Sequence, residues 1–409
     1  MAKVLIEETT LTAIGDAIRG KEGTTELVPV NDMATRISAI QSGGSDIEVE
    51  PIVLTGDCSY TLGAGGPIAA AFIDLFPDKV STKDVTNASA MFRYCKLETI
   101  PFEINLGANR SVPLSYCFTY ATNLKNIPNI TCNNPPSYFS IEQLFNQCNS
   151  LENLPYIYNA RPEGLQYVFA ACRRLRAIPE DYFDTWNFSR VKTYNYSSCS
   201  YLFDGCYSLR EVPSKLFGYL DDRVITSPYN SLYYCLFRNC YSLNKAVNLP
   251  VYDLAYTGNI FSSTFSSCYM LSKVIFKTND DGTPKIASKW KSQTIDLSSY
   301  VGYAPYPTYL TSHNSGITAD KKVTDDTTYQ ALKNDPDWFA ATLAYSKYNH
   351  DSAVETINSL PDTSASGGTN TIKFKKTSGA NTDGGAVDNL TAEEIAVAAA
   401  KGWTVSFVA

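Results

Sequence analysis

Phe203-Asp204-Gly205-Cys206-Tyr207-Ser208-Leu209 is followed, 34 residues on, by Phe237-Arg238-Asn239-Cys240-Tyr241-Ser242-Leu243, and 28 residues later by Phe265-Ser266-Ser267-Cys268-Tyr269-Met270-Leu271. The same unit stands earlier in the chain at Phe145, Cys148 and Leu151, and at Phe169, Cys172 and Leu175. It recurs with alanine in the cysteine slot at Phe118, Ala121 and Leu124, and one residue shorter at Phe92, Cys95 and Leu97. Seven copies result, with phenylalanines 26, 27, 24, 34, 34 and 28 residues apart. Each copy reaches a further apolar residue three positions after its leucine (Ile100, Ile127, Leu154, Ile178, Val212, Ala246, Val274), and the first five add a proline. A period of this length means a solenoid, because one such unit cannot bury its apolar side until a neighbour stacks on it.

The unit has a simple physical reading. Phe and Cys at i and i+3 share one face of a helical or 3₁₀ turn. The Leu-x-x-Ile-Pro stretch reads as a short strand that its proline closes, since proline cannot donate to a ladder. Cysteine, small and apolar, suits a slot where successive coils approach closely. The expected fold is therefore an α+β solenoid of short strands and helical turns, with Phe92, Cys95, Phe118, Phe145, Cys148, Phe169, Cys172, Phe203, Cys206, Phe237, Cys240, Phe265 and Cys268 as its core.

Outward from the repeats, residues 1–44 read as a separate helical module. Thr10 can cap a helix with Leu11, Ile14 and Ile18 on one face, and Asn31 or Asp32 a second with Met33, Ile37 and Ile40. After the flexible polar break Gln41-Ser42-Gly43-Gly44-Ser45, residues 45–83 read as strand around Pro51, forming an N-terminal cap for the array at 84–276. The remainder, 277–409, reads as a mixed α/β cap. Helices are expected at 325–332, 335–345 and 351–360, and from the capping box Thr391-Ala392-Glu393-Glu394 to Lys401, before an alternating strand at 403–408.

Composition narrows the chemistry. Lys+Arg number 34 against 41 Asp+Glu, a net charge of −7, and no basic cluster gathers in the sequence to neutralise phosphates, so nucleic acid is not an expected partner. The N-terminus turns acidic after three apolar residues and no run of 18 apolar residues occurs, which predicts neither a secretory signal nor membrane insertion. Eleven cysteines, an odd number of which six are spaced by whole coils, read as thiols and not as a zinc or disulfide framework. Two histidines, His313 and His350, leave little for a histidine-based triad, and the acidic pairs fit turns and helix starts. Gly63-Ala64-Gly65-Gly66-Pro67 lacks the Walker lysine and reads as a tight turn. No catalytic residue, metal or cofactor is expected.

Tyrosine is the remaining candidate. Sixteen of 28 fall between residues 191 and 310, several in the longer coils: Tyr194, Tyr196, Tyr229, Tyr233, Tyr234, Tyr252 and Tyr256. Their stiff area and polar tip suit a recognition surface. Tyr207, Tyr241 and Tyr269 all follow the repeat cysteine and predict a stacked structural ladder.

The Phe, Cys, Leu and Ile/Leu-Pro unit over residues 84–276, with its lead-in Asp84-Val85-Thr86-Asn87-Ala88-Ser89-Ala90-Met91, resembles the BspA-type leucine-rich repeats of bacterial surface and phage virion proteins. The segment from Tyr348 to Thr404 is similar to the cap that closes such repeats in phage structural proteins, and Leu11 to Ile40 to a leader on phage tail and baseplate proteins. The resemblance implies a virion protein, in a tail fibre, baseplate or head fibre, assembled in the host cytoplasm. Its first 44 residues, through Leu11, Ile14, Ile18, Met33, Ile37 and Ile40, would hold other virion proteins, and its solenoid would meet a host-surface glycan or protein, in a homotrimer. The alternatives are a bacterial surface adhesin of internalin-like kind and a glycan depolymerase.

Overall fold

The computed structural model describes residues 12, 14–16, 18–19, 52–59, 61–63, 80–107, 111–133, 137–188, 199–214, 216, 233–245, 247–253, 255, 258–299, 308–313, 316–322, 338–339, 348–377 and 385–409, those of 308–339 as backbone only. It forms two compact units: residues 1–148 with 154–162 and 185–187, and residues 149–153 and 163–184 with 188–409. The described repeats of each stack as parallel solenoid coils.

The repeat is not helical. In all seven copies the residues two before and two after the phenylalanine have positive φ, from 52° to 63° at thirteen non-glycine positions and 75° at Gly205. The positive φ falls on the third residue of a four-residue turn, where a type II turn requires it. The N–H of Cys95 thus closes on the Phe92 carbonyl at 2.9 Å, and that of Cys240 on Phe237 at 3.0 Å. The alternate N–H groups point to the next coil. Ala90, Phe92 and Tyr94 donate to the carbonyls of Ser115, Cys117 and Thr119, and Tyr201, Phe203 and Gly205 to those of Tyr234, Leu236 and Arg238. A continuous α-helix would direct every N–H into its own chain and leave none for a neighbour. Left-handed residues cost roughly 1–2 kcal/mol each, so two per coil cost ~2–4. Three rungs at about 1 kcal/mol and a buried phenylalanine at about 1.5–3 offset this, but only once a neighbour is present.

In the first unit the repeat strands follow the prolines, where a full set of N–H groups resumes, while ahead of them Thr99 and Asn126 form an isolated parallel bridge. In the first unit β1 (Ile52–Asp57) pairs parallel with β2 (Val80–Asn87), whose Thr82 hydroxyl bonds both the N–H and the carbonyl of Asn105. There β3 (Ile104–Leu106), β4 (Ile130–Cys132) and β5 (Ile157–Tyr158) form a parallel sheet behind Pro101, Pro128 and Pro155. Ile104 and Leu106 pair in register with Ile130 and Cys132, all four buried. The chain at Gly63 passes so near the neighbouring coil that a Cβ would run into the Arg93 carbonyl oxygen, the reason for glycine there.

In the second unit β6 (Val247–Leu249) pairs parallel with β7 (Val274–Phe276), and a further parallel sheet runs β8 (Thr294–Leu297), β12 (Asn370–Lys375), β13 (Trp403–Val408). Between them in sequence, β9 (Thr308–His313), β10 (Gly316–Lys322) and β11 (Trp338–Phe339) form an antiparallel sheet. Trp338 and Phe339 therefore belong to a strand paired with Leu310 and Thr311, where a helix over 335–345 was expected; cross-strand pairing overrides a weak helical pattern that contains Pro336. The expected helix at 325–332 lies outside the described residues.

Two helices complete this unit. Helix α1 (His350–Ser359) starts on Asn349, whose side chain accepts the Ser352 N–H, and docks on β7 through the Ser359 hydroxyl and a Lys273–Glu355 ion pair. Helix α2 (Ala392–Ala400) opens with the reciprocal Thr391–Glu394 capping box. Lys401 caps the end of α1 by donating to the Ile357 and Asn358 carbonyls at 2.9 and 2.7 Å. The segment expected as a C-terminal cap thus shares a compact unit with the coils from 163 onward.

Candidate recognition surface

Each coil points one set of side chains inward and leaves a second set along its outside. The thirteen expected core residues are all buried. Their rings stack in two ladders: Phe92 on Phe118 on Phe145 at 5.0 and 5.4 Å, and Phe169 on Phe203 on Phe237 on Phe265 at 5.6, 5.6 and 5.9 Å. The cysteines tie successive coils. The thiols of Cys206, Cys240 and Cys268 donate to the carbonyls of Phe169, Phe203 and Phe237 at 3.0, 3.1 and 3.0 Å, and Cys148 to Phe118 at 3.1 Å. Each of these carbonyls also accepts an N–H from its own coil. Cysteine fits because its weak donor reaches a carbonyl with a spare lone pair while occupying little volume.

All eleven cysteines are buried free thiols. Burial pushes Cys117, Cys132 and Cys199 up to about 12, and raises Cys206 and Cys240 well above their ordinary value. Two of the cysteines outside the repeat register occupy other inward slots. Cys117, one residue before Phe118, corresponds to buried Met91, Leu144 and Val168; Cys199, four before Phe203, corresponds to Leu114, Ile141 and Leu165. Aligning residues N-terminal to the phenylalanine would have found them. Among the described residues no group of three or more His, Cys, Asp or Glu could hold a metal ion, and no helix is long and apolar enough to cross a membrane.

On the outside of the second unit, Tyr207, Tyr241 and Tyr269 stack at 4.9 and 5.2 Å, and the Arg173 guanidinium lies 5.2 Å from the Tyr207 ring centre. All four hold the position after the cysteine slot and are half-buried. Burial and the flanking tyrosines push the Tyr241 hydroxyl above its ordinary range, so it remains a hydrogen-bond donor at neutral pH. A second cluster sits around the left-handed positions: Tyr167 stacks on Tyr201 at 4.3 Å, Tyr234 meets Tyr201 edge-on, and Arg238 covers Tyr201 while bonding Asp204 at 2.9 and 2.6 Å. In the first unit Tyr94, 46% exposed, stacks on Tyr120 with Arg93 over it.

The expected recognition tyrosines divide differently. Tyr233 is 1% exposed, stacks on Phe261 and donates its hydroxyl to the Pro250 carbonyl; Tyr252 is 3% exposed, and its carbonyl accepts the Trp290 indole N–H. Both are core, because the longer coils bring apolar positions of their own, and neither can serve at a surface. Tyr234 is half-buried; Tyr194, Tyr196, Tyr229 and Tyr256 lie outside the described residues. Of the expected attachment residues, Ile14 and Ile18 are buried on a helical segment, and Leu11, Met33, Ile37 and Ile40 lie outside the described residues. His350 contacts Glu394 at 3.1 Å, joining α1 to the capping box of α2.

No protein-family profile, curated protein or solved structure matches this chain.

Proposed function

We propose that this chain is a structural protein of a tailed-phage virion, attached through residues 1–44 and displaying a leucine-rich-repeat-like solenoid toward the host surface. The observation that carries the display role is the outward tyrosine and arginine ladder on tightly bonded coils. Its groups stand in register along the stack of coils, an arrangement suited to contacting an extended surface. Phenylalanine stacking, thiol bonds and backbone rungs hold those coils in place and support a scaffold role. The virion assignment draws its support from the resemblance of the repeat unit and of the Leu11–Ile40 leader.

Deleting residues 1–44 from the encoding phage should leave a folded solenoid missing from purified particles, as read by immunoblot against the repeats. Undiminished incorporation of the truncated chain would sink the attachment role.

A further inference from the structure

We propose that the tyrosine ladder of the second unit and the basic residues beside it form a binding site for an anionic polysaccharide carrying carboxylate or phosphate groups. This deepens the display reading by naming the class of ligand.

Three observations carry it. The first is charge. Although the chain as a whole is acidic, the coil segments after Cys172, Cys206, Cys240 and Cys268 each carry at least one cation: Arg173, Arg174 and Arg176, then Arg210, Lys245 and Lys273. Arg173 covers the end of the ladder, and three residues further along their coils Arg176 and Arg210 are exposed and aligned by the Arg210 N–H to Arg176 carbonyl bond at 2.9 Å. Lys245 continues the row, its N–H bonded to the Arg210 carbonyl at 3.2 Å. The acidic groups near this row include Glu152, 3.8 Å from Arg174, Glu355, paired with Lys273, Glu211, next to Arg210 in sequence, and Asp204, whose charge reaches Tyr241 and which is itself paired with Arg238 at 2.6 Å.

The second is the geometry of the rings. Tyr241 is sandwiched between Tyr207 and Tyr269, and Tyr207 between Arg173 and Tyr241. Their faces are occupied, so nucleobases cannot stack on them as they do on the aromatic platforms of single-strand binders. What Tyr241 still offers is ring edge and hydroxyl, the positive rim of the quadrupole and a donor. Both favour anionic and hydroxyl-rich ligands. The third is repetition: parallel rungs recur about every 4.8 Å, so successive donors and cations can engage successive groups of a polymer.

The test uses the full chain and immobilised polygalacturonate and dextran phosphate, with neutral dextran as control. Binding to at least one polyanion, absent on dextran and weakened by salt, is expected. R176E/R210E changes only exposed side chains and should lower polyanion affinity about tenfold with an unchanged circular dichroism spectrum. Y241F keeps the stack, removes one donor and should weaken binding about threefold. Equal binding to dextran, unchanged binding by R176E/R210E, or tighter binding of single-stranded DNA or an acidic polypeptide than of either polysaccharide would overturn the proposal. Polyanion binding by a chain absent from purified particles would leave this site standing and remove the virion reading; a virion-borne chain indifferent to R176E/R210E would do the reverse.

Discussion

Replacing Phe203 by leucine probes whether ring stacking or mere burial holds the coils. Phe203 lies between Phe169 and Phe237, at 5.6 Å and an interplanar angle of 6° on both sides. Phe265 stacks on Phe237 alone among the described residues, at 5.9 Å and 19°. Each aromatic pair is worth about 0.5–1.5 kcal/mol beyond the area it buries, so F203L removes ~1–3 kcal/mol of stacking and F265L about half of that. Leucine keeps most of the apolar contact, and the small void it leaves adds roughly 1 kcal/mol in both cases. Expected losses are about 2–4 kcal/mol for F203L and about 1.5–2.5 kcal/mol for F265L. Urea titrations followed in parallel by far-UV circular dichroism and by tryptophan fluorescence measure both, and coincidence of the two probes establishes that a single free energy is being read. If F265L cost as much as F203L, the ladder would be an accident of packing and burial alone would carry the coil.

Thiol chemistry gives a second check. With burial raising Cys117 from 9.0 to about 12, its thiolate fraction near pH 8 falls about 1,000-fold, so a thiol reagent should find no fast-reacting cysteine in the native protein and all eleven in urea. A rapid stoichiometric native phase would contradict this. At the C-terminal end, T391A removes both the hydroxyl that accepts the Glu394 N–H and its bond to the Glu394 carboxylate, and should cost about 1 kcal/mol in the same urea titration; no change would show α2 to be held by packing alone. Acid sensitivity follows from Asp362, whose carboxyl is held below its ordinary value of 3.8, first by the Ser364 hydroxyl and then by the Ser364 N–H. Its contribution is full above the unfolded-state value and is lost as pH falls through the lower folded value, so the urea midpoint should drop below pH about 4. D362N should flatten that drop, and an unaltered pH profile would exclude the residue from it.

Much of the architecture was legible in the repeat itself. Phe92 through Cys268 carry a period that only stacked coils can satisfy, and the capping box at Thr391 and the strand at Trp403–Val408 follow from local rules that tertiary context did not override. The path of the coil was not legible. Phe and Cys three apart fit a helical turn and a turn with left-handed residues equally well, and tyrosine, glutamine and alanine at Tyr94, Gln147 and Ala171 give no warning of positive φ. Tyr233 and Tyr252 illustrate the same limit. Their residue type suits a surface, yet the slots they occupy face inward, a fact set by where Phe261 and Trp290 lie.

Sequence by itself thus settled that this chain repeats, which residues repeat, and that phenylalanine and cysteine belong inside, because burying apolar area requires only periodicity. The tertiary structure decided the backbone sign at each turn, the carbonyl each thiol would reach, and which tyrosines stayed outside. Those depend on hydrogen bonds between coils 24 to 34 residues apart. A left-handed residue is unfavourable alone and becomes tolerable only when the adjacent coil supplies the rung that repays it.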